Sequence, residues 1–330
     1  MDIDFHILIT DRFSSESEQW LKSQPRMNCF HSAQVQPTPE ELASAHALII
    51  RSRTNVDETL LGQAPNLKVI VSATSGFDHM DLKATKLAKV VVMHTPQANA
   101  QSAAEMTWAL VLGSARKIVK AHKCVKSGAW RRDELTGVEL HGKNYGIVGL
   151  GRVGSKVSQM AKAFGMNVFG YDPYIDETIF SELKVHRVGF EELLRQADIL
   201  SFHVPKTEET KNMLGRAQLP LLNSHAIVIN TSRGSVINEA DLIWALQERR
   251  IDAAGLDVFQ REPLPRDSEL LKFENVLLTP HIGATTQEAF HKASECAAKQ
   301  TVQFLLHHKV ENELPPTGVP WARSRFTAPN

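Results

Sequence analysis

Three residues of types that can move protons or hold an anion follow predicted strands in the second half of the chain. Arg233 follows the apolar run IVIN, Glu262 lies in DVFQREP, and His281 follows Thr279-Pro280. An arginine fork binds a carboxylate through two hydrogen bonds, and a histidine exchanges protons near neutral pH. If the loops converge, Glu262 can accept a hydrogen bond from His281 and favour its imidazolium form. These residues suit a carbonyl-polarising and proton-moving site, although each, taken alone, is also explained as a solvated surface residue.

A glycine-rich turn at residues 149–154 predicts the cofactor that such a site needs. The apolar strand from Tyr145 leads into GLGRVG, and a helical pattern, a second strand and Asp172 follow. Glycines at this spacing allow a tight turn and a close approach of the backbone to a pyrophosphate, and an acidic residue here holds ribose hydroxyls and repels a 2'-phosphate. The segment therefore predicts NAD rather than NADP; the alternative is a glycine turn in an ordinary βαβ unit. The predicted cofactor contacts are Gly149, Gly151, Arg152, Val153, Gly154, Asp172, His203, Pro205, Thr210, Thr231, Asp257, His281 and Gly283.

Short β-branched runs alternate with helical segments, which predicts an α/β fold with two doubly wound parallel sheets. Ser102-Ala-Ala-Glu105 has the form of a capping box and predicts a long helix towards Lys120. A final predicted helix, 289–306, can return the chain to the first sheet. The expected domains are therefore 1–98 with 287–330, and 99–286. The predicted strands are 6–10, 47–50, 68–71 and 90–93, then 145 onward, 167–171, 199–203, 226–230, 253–258 and 276–279, and the predicted early helices are 14–24 and 39–45.

Composition restricts the partners of the chain. Lys plus Arg equals Asp plus Glu at 37 each, 42% of the 330 residues are hydrophobic, and the apolar runs are only strand-sized. Neither a nucleic acid nor a membrane is expected as a partner. Cys29, Cys124 and Cys296 form no CxxC pattern, so neither a disulfide framework nor a metal site is predicted, and the expected compartment is the cytoplasm.

Four segments together resemble the D-2-hydroxyacid dehydrogenases, in the same order along nearly the whole chain. They are GLGRVG with Asp172, NTSRG at 230–234, DVFQREP at 257–263 and PHIGATT at 280–286. The resemblance implies that Arg233 binds the substrate carboxylate and oxygen, that His281 is the general acid and base, and that Glu262 orients His281 and raises its pKa. It also implies a discontinuous substrate domain, formed by both chain ends, that closes over a central nucleotide domain.

Within this family, RSRT at 51–54 and KSGAW at 126–130 are most similar to the members that oxidise 3-phosphoglycerate in serine synthesis. Two positions depart from that pattern: Ser72 stands where animal phosphoglycerate enzymes carry Arg, and His94 stands where the family often has Asn. The long helix and KSGAW resemble the region through which the family forms homodimers. The expected substrate contacts are Arg51, Arg53, Ser75, Gly76, Asn99, Arg233 and His281, with Arg131 and Arg132 reaching the site from a partner subunit or, alternatively, lying solvated on the surface.

Two other functions stay open at the level of sequence. A hydroxypyruvate or glyoxylate reductase of the same family would use the same Arg, Glu and His with an unphosphorylated acid. An NAD-sensing, corepressor-like binding protein would keep the cofactor site without turnover. Because the sequence ends near residue 330, we also expect no feedback inhibition by serine, and the Pro-rich segment 315–330 is expected to pack on the surface or to be loosely ordered.

Overall fold

The computed structural model describes residues 4–314, so the predicted tail at 315–330 lies outside the described residues. The described strands are β1 (Phe5–Ile9), β2 (Met27–His31), β3 (Ala47–Ile50), β4 (Val69–Ser72), β5 (Val91–His94), β6 (Asn144–Val148), β7 (Asn167–Tyr171), β8 (His186–Arg187), β9 (Ile199–Phe202), β10 (Ile227–Asn230), β11 (Ala253–Leu256) and β12 (Val276–Leu278). The described α-helices are α1 (Ser15–Ser23), α2 (Pro39–Ser44), α3 (Glu58–Gly62), α4 (Leu82–Leu87), α5 (Ala100–Ala115), α6 (Ile118–Lys126), α7 (Arg152–Ala163), α8 (Glu177–Glu182), α9 (Phe190–Gln196), α10 (Glu239–Gln247) and α11 (Gln287–His307).

Contacts divide the chain into two compact units. Among the described residues, the first unit contains 4–99 and 285–314, and the second runs from Ala100 to Ala284. These junctions lie one and two residues away from the expected domain boundaries at 98/99 and 286/287. Each unit is built around one parallel sheet, so the α/β class predicted from the alternating pattern is confirmed.

The first unit has a five-stranded parallel sheet in the order β2-β1-β3-β4-β5. Its central strand β3 reads ALII and is buried at every position, as expected for a strand that is covered on both faces. Helix α11 returns to this unit and buries Ala293, Ala297 and Val302 in the same apolar cluster as Ile7 and Ile9 of β1. Because β1 and β3 are parallel neighbours, their carboxyl ends lie side by side. The chain that follows each strand is therefore at the same edge of the sheet.

The second unit has a seven-stranded parallel sheet in the order β12-β11-β10-β9-β6-β7-β8. Strand β6 pairs with β7 on one side and with β9 on the other, so the strand order reverses there. In open α/β sheets, ligands bind in the crevice outside the carboxyl ends of the strands at this reversal. The residues after β6, β7 and β9 are therefore the ones that can hold a nucleotide.

Two local predictions were wrong for reasons of packing. The predicted helix from Ser102 to Lys120 is divided, because the carbonyl of Ala115 accepts a hydrogen bond from the N–H of Val138 at 2.8 Å and Lys117 adopts a left-handed backbone conformation. The helix also begins at Ala100, so Ser102 lies inside it and is not its cap.

The sequence analysis did not predict strands β2 and β8. Both lie at sheet edges and carry polar residues, which weakens the apolar pattern of a strand.

Candidate active site

The glycine turn after β6 fits the predicted nucleotide cradle. Gly149 has φ of +88°, and a Cβ there would lie 2.7 Å from the carbonyl oxygen of His203, which follows β9. A Cβ on Gly154 would lie 2.0 Å from the carbonyl oxygen of Gly149, so α7 can approach the turn only because residue 154 has no side chain. Gly151 is the N-cap of α7 and provides no side-chain hydrogen bond to it. The free amide groups of this helix terminus suit a pyrophosphate.

Asp172 lies at the end of β7, next to this turn. Its Oδ2 accepts a hydrogen bond from the N–H of Leu150 at 3.0 Å, and its Oδ1 accepts one from the N–H of Tyr174 at 3.0 Å. Burial raises the pKa of Asp172, and the hydrogen bond from the N–H of Leu150 partly opposes the shift. Each carboxylate oxygen keeps acceptor capacity, so the residue fits the hydroxyls of an adenosine ribose.

Other predicted cofactor contacts lie on the rims of this crevice. Arg152 and Val153 form the first turn of α7. Burial lowers the pKa of His203 to about 3, so its ring is neutral, and its Nε2 pairs with the Ser201 hydroxyl at 2.9 Å. The loop beyond it is closed by Thr210, whose hydroxyl donates to the carbonyl of Pro205 at 2.6 Å.

The loop after β10 presents Arg233. Buried Asn230 holds this loop, because its Oδ1 accepts from the N–H of Ser232 at 3.0 Å and its Nδ2 donates to the carbonyl of Arg233 at 2.9 Å. Arg233 Nη1 donates to the carbonyl of Ser232 at 2.7 Å. Thr231, a predicted cofactor contact, pairs its hydroxyl with that of Thr107 at 2.8 Å. Sequence reasoning missed Asn230, although its place at the end of a buried strand was a usable signal.

Gly234 brings the loop of Arg233 against the loop that carries Glu262. A Cβ at Gly234 would lie 1.9 Å from both the carbonyl carbon and the carbonyl oxygen of Phe259. The N–H of Phe259 in turn donates to Glu262 Oε1 at 3.0 Å. Only glycine permits this approach, so the DVFQREP segment is held in place by the NTSRG segment.

Glu262 and His281 form a direct pair. Glu262 Oε2 lies 2.7 Å from His281 Nδ1, and the side chains of His281 and Glu262 are 50% and 37% exposed. The hydrogen bond that His281 donates to Glu262 raises the pKa of His281, against the opposing effects of burial and of the Arg233 charge. Burial would raise the pKa of Glu262, yet the bond to His281 lowers it. The imidazolium form is thus favoured, and Nε2 is left as the atom that can exchange a proton.

Asp257 organises the loop that bears His281. This carboxylate is buried, and its Oδ1 accepts from the Thr279 hydroxyl at 2.6 Å and from the N–H of Ile282 at 2.9 Å. Its Oδ2 accepts from the N–H of Gly283 at 2.7 Å. His281 lies between these anchors with φ of +53°. Asp257 and Gly283 are predicted cofactor contacts, and the hydrogen bond between them holds the loop of His281.

The remaining predicted substrate contacts lie in the first unit. Arg53 binds both carboxylate oxygens of Asp11, through Nε at 3.1 Å and through Nη2. Ser75 accepts a hydrogen bond at its carbonyl from His94 Nδ1 at 3.0 Å. Within residues 4–314, the backbone N–H groups of Ser75 and Gly76 have no acceptor, whereas Asn99 is half-buried after β5.

The two departures from the family pattern are structural. Ser72 is fully buried and pairs with the Thr74 hydroxyl at 2.7 Å, so no arginine would fit there without rearrangement. His94 is also buried and holds the carbonyl of Ser75. Both residues therefore stabilise the 72–76 loop through hydrogen bonds from buried side chains.

Arg131 and Arg132 lie on an exposed segment of the second unit. Arg131 forms a 3.7 Å ion pair with Glu134, and the side chains of both residues are largely exposed.

Cys29, Cys124 and Cys296 are free thiols. Within residues 4–314, we find neither a cluster of three His, Cys, Asp or Glu residues that could hold a metal nor a helix long and apolar enough to cross a membrane.

Comparisons with known proteins show the family to which the chain belongs. Residues 108–283 match the family model for the D-isomer specific 2-hydroxyacid dehydrogenase, NAD binding domain. The D-3-phosphoglycerate dehydrogenase of Methanocaldococcus jannaschii is 38% identical over 95% of this chain and 60% of that protein. The glyoxylate reductase of Aeropyrum pernix is 38% identical over 82% of this chain and 84% of that protein.

A solved structure gives the same result for the fold. The D-lactate dehydrogenase of Aquifex aeolicus, complexed with NAD and lactic acid, is 28% identical over 91% of this chain and 95% of that chain, with a TM-score of 0.81. Fold, glycine turn and paired acid and histidine are the features expected of an NAD-binding enzyme domain of this family. The chain belongs to the D-isomer specific 2-hydroxyacid dehydrogenase family, which confirms the predicted family and the predicted cofactor. It spans between 47% and 60% of the length of the phosphoglycerate dehydrogenases that it matches.

Proposed function

We propose that this chain interconverts a D-2-hydroxy acid and the corresponding 2-oxo acid with NAD, and that the acid is 3-phosphoglycerate, the entry point of serine synthesis. The observation that carries the proposal is the 2.7 Å contact between Glu262 and His281. Arg233 belongs to the same site, because its charge helps to lower the pKa of Glu262 and opposes the rise in the pKa of His281. A cation, a base and a carboxylate in one cluster suit proton transfer beside a polarised carbonyl.

The proposed chemistry assigns one task to each residue. NAD, held by the glycine turn and Asp172, would supply the acceptor for the hydride that leaves carbon 2 of the acid. His281 takes the hydroxyl proton at Nε2, because its Nδ1 faces Glu262. The C–H and O–H bonds are lost and a C=O double bond forms, so protons and electrons balance. Arg233 holds the carboxylate and the developing carbonyl oxygen, and Glu262 stabilises the imidazolium. In reduction the same imidazolium returns the proton.

The proposal includes substrate contacts within the first unit. The N–H groups of Ser75 and Gly76 are available for a carboxylate, since no acceptor within residues 4–314 uses them. Arg51 is proposed for the phosphate, and Asn99 for a polar contact. Arg53 is also proposed as a substrate contact, although its guanidinium already binds Asp11.

The phosphorylated substrate is supported by the relatives named D-3-phosphoglycerate dehydrogenase, which are 37% to 41% identical to this chain. A second candidate, glyoxylate reduction, is favoured by a different observation. Relatives named glyoxylate reductase are 38% and 39% identical, and the match covers 84% of their own length. The pairing of Arg53 with Asp11 also leaves one arginine fewer for a phosphate.

The deciding experiment is NADH oxidation by the purified protein with phosphohydroxypyruvate, hydroxypyruvate, glyoxylate and pyruvate at matched concentrations. We expect the highest kcat/KM for phosphohydroxypyruvate. A preference for glyoxylate would move the protein to the reductase branch. Tight NADH binding without turnover of any of these acids would contradict the enzymatic proposal and favour an NAD-sensing binding protein.

We further propose a homodimer in which α6 and the segment after it face a second copy. Helix α6 has no buried residue, and Ile118, Val125 and Trp130 are exposed by 52%, 56% and 77%. An exposed apolar patch of this kind favours a protein partner. Arg131 and Arg132 belong to the segment after α6, so they would then lie in this interface, next to the second copy. The free thiols support the cytoplasm as the proposed location.

A further inference from the structure

The loop that follows β4 is held in place through its carbonyl groups. The carbonyl of Thr74 accepts a hydrogen bond from the N–H of Thr95 at 3.1 Å, and the carbonyl of Ser75 accepts one from His94 Nδ1 at 3.0 Å. The carbonyl of Gly76 accepts from the Thr74 hydroxyl at 2.8 Å. Three successive carbonyl groups of this loop are therefore bound by the protein.

These hydrogen bonds set the direction of the two N–H groups that we propose for the substrate carboxylate. In a trans peptide group the C=O and the N–H point in opposite directions. Because Thr95 binds the carbonyl of Thr74, the N–H of Ser75 points away from Thr95. Because His94 binds the carbonyl of Ser75, the N–H of Gly76 points away from His94. Neither N–H group has an acceptor within residues 4–314, so both can bind a ligand.

Only one of these two peptide groups is oriented by a side chain. Thr95 uses its backbone N–H, which any residue except proline would supply. His94 uses its ring, and Nδ1 must carry the proton because a carbonyl oxygen can only accept. The type of residue at position 94 therefore decides how the peptide group between Ser75 and Gly76 is held.

His94 is itself anchored at the end of β5, where it is 4% exposed. Its backbone N–H donates to the carbonyl of Asn312 at 3.2 Å, and its own carbonyl accepts from Gln300 Nε2 at 3.2 Å. Its ring lies edge-on to the ring of Phe77, with the centroids 6.3 Å apart. A donor that is buried and fixed in this way does not have to compete with water for the carbonyl.

A second set of bonds supports the loop but does not replace His94. Thr74 gives its only hydroxyl proton to the carbonyl of Gly76, so Ser72 must be the donor in the 2.7 Å contact between the two hydroxyl groups. His79 Nε2 lies 3.4 Å from the same Ser72 oxygen. These bonds end at the carbonyl of Gly76, whereas the carbonyl of the preceding residue is bound by the His94 ring.

We propose that His94 is a positioning residue for the substrate: its bond to the Ser75 carbonyl orients the N–H of Gly76 for the carboxylate of the acid. A carbonyl that accepts a hydrogen bond also polarises its peptide group and makes the N–H of that group a better donor. The inference deepens the proposed function and rests on it for the identity of the ligand as a 2-hydroxy or 2-oxo acid. Loss of the donor at residue 94 should weaken binding of the acid and leave NAD binding unchanged, because the predicted NAD contacts all lie in the second unit.

Two substitutions separate the hydrogen bond of His94 from its packing. In His94→Asn, the Nδ2 donor is as many bonds from Cα as the histidine Nδ1, but the side chain is smaller than the ring. In His94→Leu, the side chain is closer to the ring in volume but has no donor. A positioning role predicts that the asparagine variant works better, whereas a role in packing alone predicts that the leucine variant does. His94→Met also lacks a donor and fills irregular space, so it replaces the leucine variant if that variant does not fold.

Oxalate is the probe, titrated by calorimetry into the protein saturated with NADH. We expect His94→Leu to weaken oxalate binding by roughly tenfold and His94→Asn to stay within about threefold of the original protein. The matched control is His46→Leu, which should leave oxalate binding unchanged. His46 Nδ1 also bonds to the backbone, accepting from the N–H of His6 at 3.1 Å, but it lies at the amino end of β3, at the opposite edge of the same sheet. Equal oxalate affinity in His94→Leu and the original protein, or a larger loss in His94→Asn than in His94→Leu, would overturn the positioning role.

Steady-state kinetics adds a readout that a general loss of structure would not give. For the 2-oxo acid that the protein reduces fastest, we expect His94→Leu to raise KM roughly tenfold, with kcat within about twofold and the dissociation constant of NADH unchanged. An unchanged KM in this variant would overturn the proposal while leaving the proposed function intact. Failure of the proposed function is a different result: the original protein reduces no 2-oxo acid, although calorimetry still reports the effect of His94 on oxalate.

Discussion

Gly234 and Phe259 lie so close together that a Cβ at Gly234 would be 1.9 Å from the Phe259 carbonyl oxygen. Because the N–H of Phe259 also holds Glu262, this contact fixes the loop of Arg233 relative to the loop of Glu262. Neither loop can shift without the other. The spacing of the proposed catalytic groups thus depends on a residue that has no side chain.

We therefore expect Gly234→Ala to damage catalysis more than folding. The added methyl group must push the 257–263 loop away, and a misplacement of about 1 Å can lower kcat/KM by roughly 100-fold. Overpacking of this kind costs about 1–3 kcal/mol in the free energy of unfolding. Gly189→Ala is the control, because a Cβ there has nothing within 4 Å. Steady-state kinetics within twofold of the original protein would show that the contact does not position the site.

Glu262→Gln should shift the pH dependence of turnover. The hydrogen bond that His281 donates to the Glu262 carboxylate raises the pKa of His281, so the loss of this carboxylate lowers that pKa. Oxidation needs the neutral imidazole and increases as pH rises through this pKa; the increase should therefore move to lower pH. Reduction needs the imidazolium, so its decline with rising pH should also move to lower pH. Profiles of kcat/KM in both directions check this, with Glu269→Gln as a half-exposed control from the same unit. An unmoved profile would remove Glu262 from the mechanism.

Asp257→Asn should loosen the loop that carries His281. The asparagine has one acceptor oxygen, so its amide group must face at least one of the donors that Asp257 now binds, namely the Thr279 hydroxyl and the N–H groups of Ile282 and Gly283. A buried donor without an acceptor costs about 1–3 kcal/mol, which denaturant unfolding can measure. We expect kcat/KM to fall as well. The exposed Asp252→Asn is the control, and equal losses in both variants would contradict the supporting role.

The parts of this fold that sequence predicts are those governed by local pattern. Strand β3, with ALII buried at every position, is visible because burial on both faces demands a continuous apolar run. Strand β2 is not visible, since an edge strand buries only alternate residues such as Met27 and Cys29. The end of α5 depends on the N–H of Val138, a partner 23 residues away that no helical pattern contains.

The same limit applies to the site. Residue type and position after a strand single out Arg233, Glu262 and His281 as candidates. The sequence does not reveal that Asp257 supports His281, because that role depends on hydrogen bonds between two separate loops. Nor does it reveal that Arg53 is bound to Asp11, since the two are 42 residues apart. Pairing partners distant in sequence decide whether a charge is available to a ligand.

The proposed homodimer has a direct test in solution. Replacing Val125 and Trp130 together by serine removes two of the most exposed apolar side chains near α6. We expect the dissociation constant of the dimer to rise at least about tenfold, as measured by analytical ultracentrifugation. Leu87→Ser is the control, because Leu87 is 80% exposed and lies in the first unit. A monomeric original protein, or a dimer that the double variant leaves intact, would contradict this interface.

Asp172 should determine the choice between NAD and NADP. Its carboxylate is held by the N–H groups of Leu150 and Tyr174 at the mouth of the glycine turn, where a ribose 2'-phosphate would meet a like charge. Asp172→Ala removes both the acceptor for the ribose hydroxyls and the repulsion. Loss of a charge-assisted hydrogen bond should lower kcat/KM for NAD by roughly tenfold to 100-fold, with NADP affected less. Asp176→Ala, an exposed change four residues further on, should leave the ratio of the two cofactors unchanged. If the ratio is also unchanged in Asp172→Ala, cofactor choice lies elsewhere in the crevice.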